Sequence, residues 1–200
     1  MYSLLNGIYE EFTYLPERRL LILGVENAGK TCILEQIKHH FGSTQYLSHD
    51  QVTPTVGLNV GRLRLEHERL LIWDLGGAKS LRPIWERYLD DAEALIWVYD
   101  ATDRGKMCDA RETLKGLLRR RNLINSPLLV FANKQDKGGS MSAMEVCDGL
   151  DLFEDAEIRP QCVQPASSKT GVGIKDGIQW ILYRLRNPTM EYKTSVKEMP

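Results

Sequence analysis

Residues 24–31 read GVENAGKT, a match to the pattern G-x-x-x-x-G-K-[ST]. This spacing suits the cradling of a chain of phosphates. Glycines let successive backbone N–H groups converge on phosphate oxygens, and a helix opening just behind them adds partial positive charge. The Lys30 ammonium would reach the β- and γ-phosphates, and the Thr31 hydroxyl would ligate Mg²⁺, which takes octahedral oxygen coordination. The candidate contacts are Gly24, Val25, Glu26, Asn27, Ala28, Gly29, Lys30 and Thr31, with Cys32 following them. Alone, the loop specifies a nucleoside triphosphate and no base, since ATPases and kinases carry the same pattern.

Four further segments narrow the choice. Residues 53–60 read TPTVGLNV, and residues 73–77 read WDLGG. In the second, Asp74 could hold Mg²⁺ through a water and the Gly77 N–H could approach a γ-phosphate. Residues 133–136 read NKQD, directly after an apolar run, so Asn133, Lys134 and Asp136 sit where a base would lie. The Asp136 carboxylate can accept two hydrogen bonds, from N1–H and the exocyclic amine of guanine. Adenine offers no such donor pair, and leaving the acceptor unpaired costs about 1–3 kcal/mol or more for a charged group. Residues 167–169 read SSK, where the Ser168 N–H could meet guanine O6, with Ser167 and Lys169 on either side. Each of these two loops, taken singly, is as well explained as a polar turn. Their order behind the phosphate loop makes that reading improbable.

The elements that would carry these motifs follow from periodicity. Apolar runs at 20–23, 94–99 and 128–132 are bounded by polar residues, as strands buried on both faces of a parallel sheet would be. Helix-period segments at 29–41, 107–121 and 174–185 would supply crossovers, which predicts an α/β protein with helices on both faces of the sheet. Residues 58–65 and 70–73 flank a short charged turn and read as a β-hairpin.

Composition sets the outer bounds. The 200 residues, 42% hydrophobic and 26% charged, suit one globular domain, and a formal net charge of -1 offers no field for nucleic acid. The run Arg119, Arg120 and Arg121 reads as a solvated helix end and not as a nucleic-acid contact. Four scattered cysteines form no metal-ligand pattern and are expected to be reduced thiols in a cytoplasmic protein. No apolar run approaches the roughly 20 residues a membrane-spanning helix needs.

The two ends differ from the middle. On a helical wheel Tyr2, Leu4, Leu5, Ile8, Tyr9, Phe12 and Leu15 fall within an arc of roughly 160°. Three regions are therefore expected: an amphipathic helix at 1–17, a nucleotide-binding domain at 18–187 and a disordered tail at 188–200.

With these motifs in view the chain resembles the ADP-ribosylation factor (Arf) and Arf-like GTPases. WDLGG, NKQD, PTVGLN and RPIWERYL at 82–89 carry the resemblance, which runs from about Leu4 to Asn187. It implies a P-loop GTPase domain with a mainly parallel six-stranded sheet and one antiparallel strand, binding GTP or GDP with Mg²⁺. By position, Thr55 would be the switch threonine on Mg²⁺, and Leu58, Trp73 and Tyr88 would form an effector patch. Trp73 and Tyr88 are equally open to a reading as core packing, and the family usually has Phe where Leu58 stands. Tyr2 replaces the glycine that myristoylation needs, and the Met-Tyr start is most similar to the Arf-related protein subfamily. That similarity implies a peripheral Golgi, trans-Golgi or other endomembrane location, an exchange factor, effectors, and possession or lack of an activating protein left open.

One position departs from the family. Ala78 stands where the resemblance places the glutamine that orients the attacking water, so Lys30, Thr55 and Gly77 are the remaining catalytic candidates. No arginine occurs in 41–56. Two outputs follow: a switch turned over by slow hydrolysis, or a GTP-binding module governed by exchange.

Overall fold

The computed structural model describes residues 15–120, 123–155, 159–188 and 194–198. The amphipathic segment at 1–14 lies outside these residues, and its expected helix with it. Among the described residues seven strands form one sheet: β1 (Glu17–Leu23), β2 (Leu58–Arg64), β3 (Arg69–Leu75), β4 (Ala94–Asp100), β5 (Leu128–Asn133), β6 (Gln161–Pro165) and β7 (Thr194–Val196). Their spatial order is β2-β3-β1-β4-β5-β6-β7, and only the β2–β3 pair is antiparallel.

The centre of the sheet is what apolar runs dictate. Leu20 to Leu23 in β1, most of β4 and all of β5 are buried, because helices cover both faces of a parallel sheet. The α-helices are α1 (Lys30–His40), α2 (Arg82–Leu89), α3 (Met107–Leu118), α4 (Ala143–Gly149) and α5 (Ile174–Arg186). Ser142 caps α4 with a reciprocal Ser142–Glu145 box, and Pro83 occupies the first turn of α2, where a missing N–H costs nothing.

Three expectations change. The sheet has seven strands, because residues 194–196 pair in parallel with β6, Cys162 facing Ser195 and the Lys197 N–H donating to the Val163 carbonyl at 3.0 Å. The disordered tail expected from 188 is therefore corrected over this stretch. An edge strand of β6 leaves a row of backbone groups to satisfy, and even a short polar segment gains hydrogen bonds there. The boundary at 17/18 also shifts, since Glu17 already belongs to β1.

Candidate functional site

The loops after β1, β3, β5 and β6 meet at the carboxyl ends of the parallel strands, where α/β sheets open a crevice. A cavity of about 610 Å³ lies there. At its floor the chain passes from β1 to α1 through Gly29, whose φ of 93° is left-handed and unstrained only for glycine. A Cβ at Gly29 would come within 2.4 Å of the Asn133 amide nitrogen, so the glycine also lets β5 approach.

The phosphate end is built around Lys30. Its ammonium donates to the carbonyls of Gly24 at 3.1 Å and Val25 at 2.9 Å, and it sits where a Cβ on Gly77 would be 2.4 Å away. Burial pulls its pKa down to about 8, against the opposing pull of Asp74, so the cation is short of solvation. Triphosphate oxygens would restore what burial removes.

Beside it three oxygens converge. The Thr31 hydroxyl donates to Asp74 Oδ2 at 2.7 Å and lies 2.6 Å from the Thr55 hydroxyl, which is itself 3.5 Å from the same carboxylate oxygen. Burial raises the Asp74 pKa, opposed first by the Thr31 hydrogen bond and then by Lys30. Among the described residues Asp74 Oδ1 is buried with no hydrogen-bond partner, which suits a carboxylate waiting for an ion-bound water. Two hydroxyls and one carboxylate are a hard, all-oxygen set, and that fits Mg²⁺ with water completing its shell.

The base end is assembled from buried strand ends. The Asn133 amide donates to the Ala28 carbonyl at 2.8 Å, and its oxygen accepts the Ser168 N–H at 2.9 Å. The Ser167 hydroxyl donates to Asp136 Oδ1 at 2.6 Å, which aims that carboxylate. Lys134 donates to the Asn27 carbonyl at 2.8 Å and to Asp100 Oδ2 at 2.6 Å, clamping the base loop to the phosphate loop.

Of the sequence candidates, Glu26, Asn27, Gly29, Lys30, Thr31, Cys32, Thr55, Gly77, Ala78, Lys134, Asp136, Ser168 and Lys169 line the cavity. Gly24, Val25, Ala28, Asp74, Asn133 and Ser167 stand behind that wall and hold it through the bonds above. His49, Asp50 and Val52 also line it and were missed, because no motif marks the segment before Thr53.

The patch candidates fall together on the hairpin and α2. Leu58 is 40% exposed, while Trp73 and Tyr88 meet as tilted rings with centroids 5.4 Å apart and lean on the core. The core-packing reading of that aromatic pair is thus met. Next to them Val56, which sequence reasoning passed over, is 92% exposed.

Fold and cavity define a P-loop nucleotide-binding protein with a guanine-type base loop. Comparison with known proteins gives the family. The ADP-ribosylation factor family model matches residues 5–185, and the chain belongs to that family of small GTPases. It is similar to "ADP-ribosylation factor-like protein 3" of Chlamydomonas reinhardtii, 39% identical over 184 residues, 92% of this chain and 98% of that protein. It is also similar to human "ADP-ribosylation factor-related protein 1", 35% identical over 184 residues, 91% of this chain and 92% of that one. Among solved structures, the Arl6 BBS3 small GTPase from Trypanosoma brucei with bound nucleotide analogue GppNp superposes with a TM-score of 0.76. That match is 27% identical in sequence and covers 86% of this chain and 99% of the other. Arf-family GTPases bind GTP and GDP, hydrolyse GTP, and work with exchange factors, activating proteins and effectors.

Proposed function

We propose that this chain is a GTP/GDP switch, recruiting effectors to Golgi or other endomembranes in vesicle traffic, with Mg²⁺ held by Thr31, Thr55 and, through water, Asp74. The observation that carries the reading is the convergence of Lys30, the Thr31–Thr55–Asp74 oxygens and the Ser167-oriented Asp136 on one cavity. A triphosphate, its metal and a guanine each find complementary groups there. Leu58, Trp73, Tyr88 and Val56 would present the effector surface, and the amphipathic segment near the amino terminus would rest on the membrane. The Golgi assignment rests on the resemblance of the Met-Tyr start to the Arf-related subfamily alone.

Intrinsic hydrolysis would be slow, since Ala78 lines the cavity with a methyl group that can neither donate to nor accept from water. Nucleotide competition tests the core of the reading. GTP and GDP should displace a fluorescent guanine nucleotide while ATP does not, and equal displacement by ATP would remove it.

A further inference from the structure

We propose that Glu26 holds the water that attacks the γ-phosphate, the task that Ala78 leaves undone; the inference rests on reading the cavity as a GTP site. Gly77 packs so tightly on the phosphate loop that a Cβ there would sit 2.5 Å from the Gly24 carbonyl oxygen and 2.6 Å from the Val25 carbonyl carbon. The next residues along the two segments, Glu26 and Ala78, therefore emerge close together, and both line the cavity. Ala78 offers no polar atom. Glu26 is exposed, and among the described residues its carboxylate has no hydrogen-bond or ion-pair partner.

Several of the other polar lining groups are committed. Lys30 is a cation and cannot accept a proton from water. Thr31 and Thr55 are bound up with Asp74, and Asp136 accepts from Ser167 at the base end. His49 and Asp50 lie 3.6 Å apart as a pair of their own. Glu26 is the one carboxylate on the loop that Gly77 touches.

The step balances with water as the sole co-reactant. The carboxylate accepts a hydrogen bond from the water, turning an oxygen lone pair toward the γ-phosphorus. The new P–O bond forms as the bridging P–O bond breaks, its electron pair leaving on the β-phosphate of GDP. The water proton passes to the carboxylate and from there to inorganic phosphate. The residual rate of the protein then runs through a residue of the phosphate loop instead of through position 78.

Single-turnover hydrolysis of preloaded GTP by the full chain tests this, with GTP dissociation followed in parallel. Glu26→Ala should slow hydrolysis roughly 10-fold to 100-fold, at or below what a positioned general base contributes, while GTP stays bound as in the wild type. Glu26→Gln should fall between, because an amide oxygen still accepts from water but takes no proton. Ala78→Gln should restore the Glu26→Ala protein by a larger factor than it speeds the wild type, since both side chains then serve one water. Hydrolysis by Glu26→Ala at or above the wild-type rate would overturn the proposal, as would an equal gain from Ala78→Gln in both backgrounds. A wild type that fails to retain GTP overturns the site reading itself, a result separable from the first.

Discussion

The base end and the γ-phosphate end of one cavity are built by opposite means. At the base end Asn133, Ser167 and Ser168 are no more than 5% exposed, and each is fixed by hydrogen bonds at the ends of β5 and β6. At the other end Ala78 precedes a short 3-10 turn that opens at Lys79, which is exposed, and Val56 points into solvent beside Thr55. Thr55 is tied to the floor by its own hydroxyl, through contacts to Thr31 and Asp74. The groups that anchor the base loop are thus part of the core, although Asp136 itself is exposed, whereas the residues after Gly77 run out to the surface.

The sharpest way to break this contrast is to disarm the base end. Asp136→Asn should weaken GTP by about 3 kcal/mol or more, roughly 150-fold, because two charge-assisted bonds are lost and a donor faces a donor. Xanthosine triphosphate, whose edge has the complementary change, should gain. Competition binding with both nucleotides measures it, and an unaltered GTP affinity would place the base somewhere else.

The same contrast explains what could be read in advance. The strands β1, β4 and β5 were legible because burial on both faces writes a continuous apolar run, and the phosphate and base loops because their chemistry tolerates few spellings. β6 gave no signal: Gln161 and Gln164 are buried polar residues, and Pro165 ends the strand. β7 is polar and three residues long, so only its position beside β6 makes it a strand. His49, Asp50 and Val52 reach the cavity through the path of a loop, a property that residue types do not encode. Arg82 was noted as part of a family segment, yet its bidentate bond to Asp109 appears only when α2 meets α3.

Restoring the γ-phosphate end should have a smaller effect than spoiling the base end. Ala78→Gln should raise single-turnover hydrolysis in the wild type by several-fold to roughly 10-fold, about 1 kcal/mol off the barrier. GTP affinity should stay as it is, since the phosphates are held by the loop and Lys30. Equal rates would refute the reading of position 78.

A third measurement asks whether the two ends report to the membrane. Glu10 and Glu11 lie on the polar face of the amphipathic segment and argue against a polybasic anchor, so binding should be weak and apolar. In liposome flotation the GTP form should be enriched severalfold over the GDP form, and removal of residues 1–16 should abolish the difference. Identical flotation of all three proteins would sink the idea.

The smallest effect concerns what keeps the segment after Ala78 in place. Arg82 reaches across to α3, donating to both Asp109 oxygens at 3.1 and 2.6 Å and to the Thr113 hydroxyl at 2.7 Å, while the Trp85 indole holds the Gly76 carbonyl at 3.0 Å. The Arg82 hydrogen bonds hold the Asp109 carboxyl below its ordinary 3.8, outweighing burial, with Lys79 adding to the pull. A carboxylate whose pKa falls on folding contributes stability that is full above the unfolded value and is lost as pH drops through the folded one. Asp109→Asn should therefore lower the melting temperature at pH 7 by about 2–4 °C, the size of about 1 kcal/mol in a chain of this length. The gap between wild type and variant should be constant from pH 8 to pH 5, because both values of the carboxyl lie below that window. It should close only below about pH 4. A gap already shrinking between pH 7 and pH 5 would mean that Asp109 titrates higher than its partner allows, and that Arg82 does not hold it.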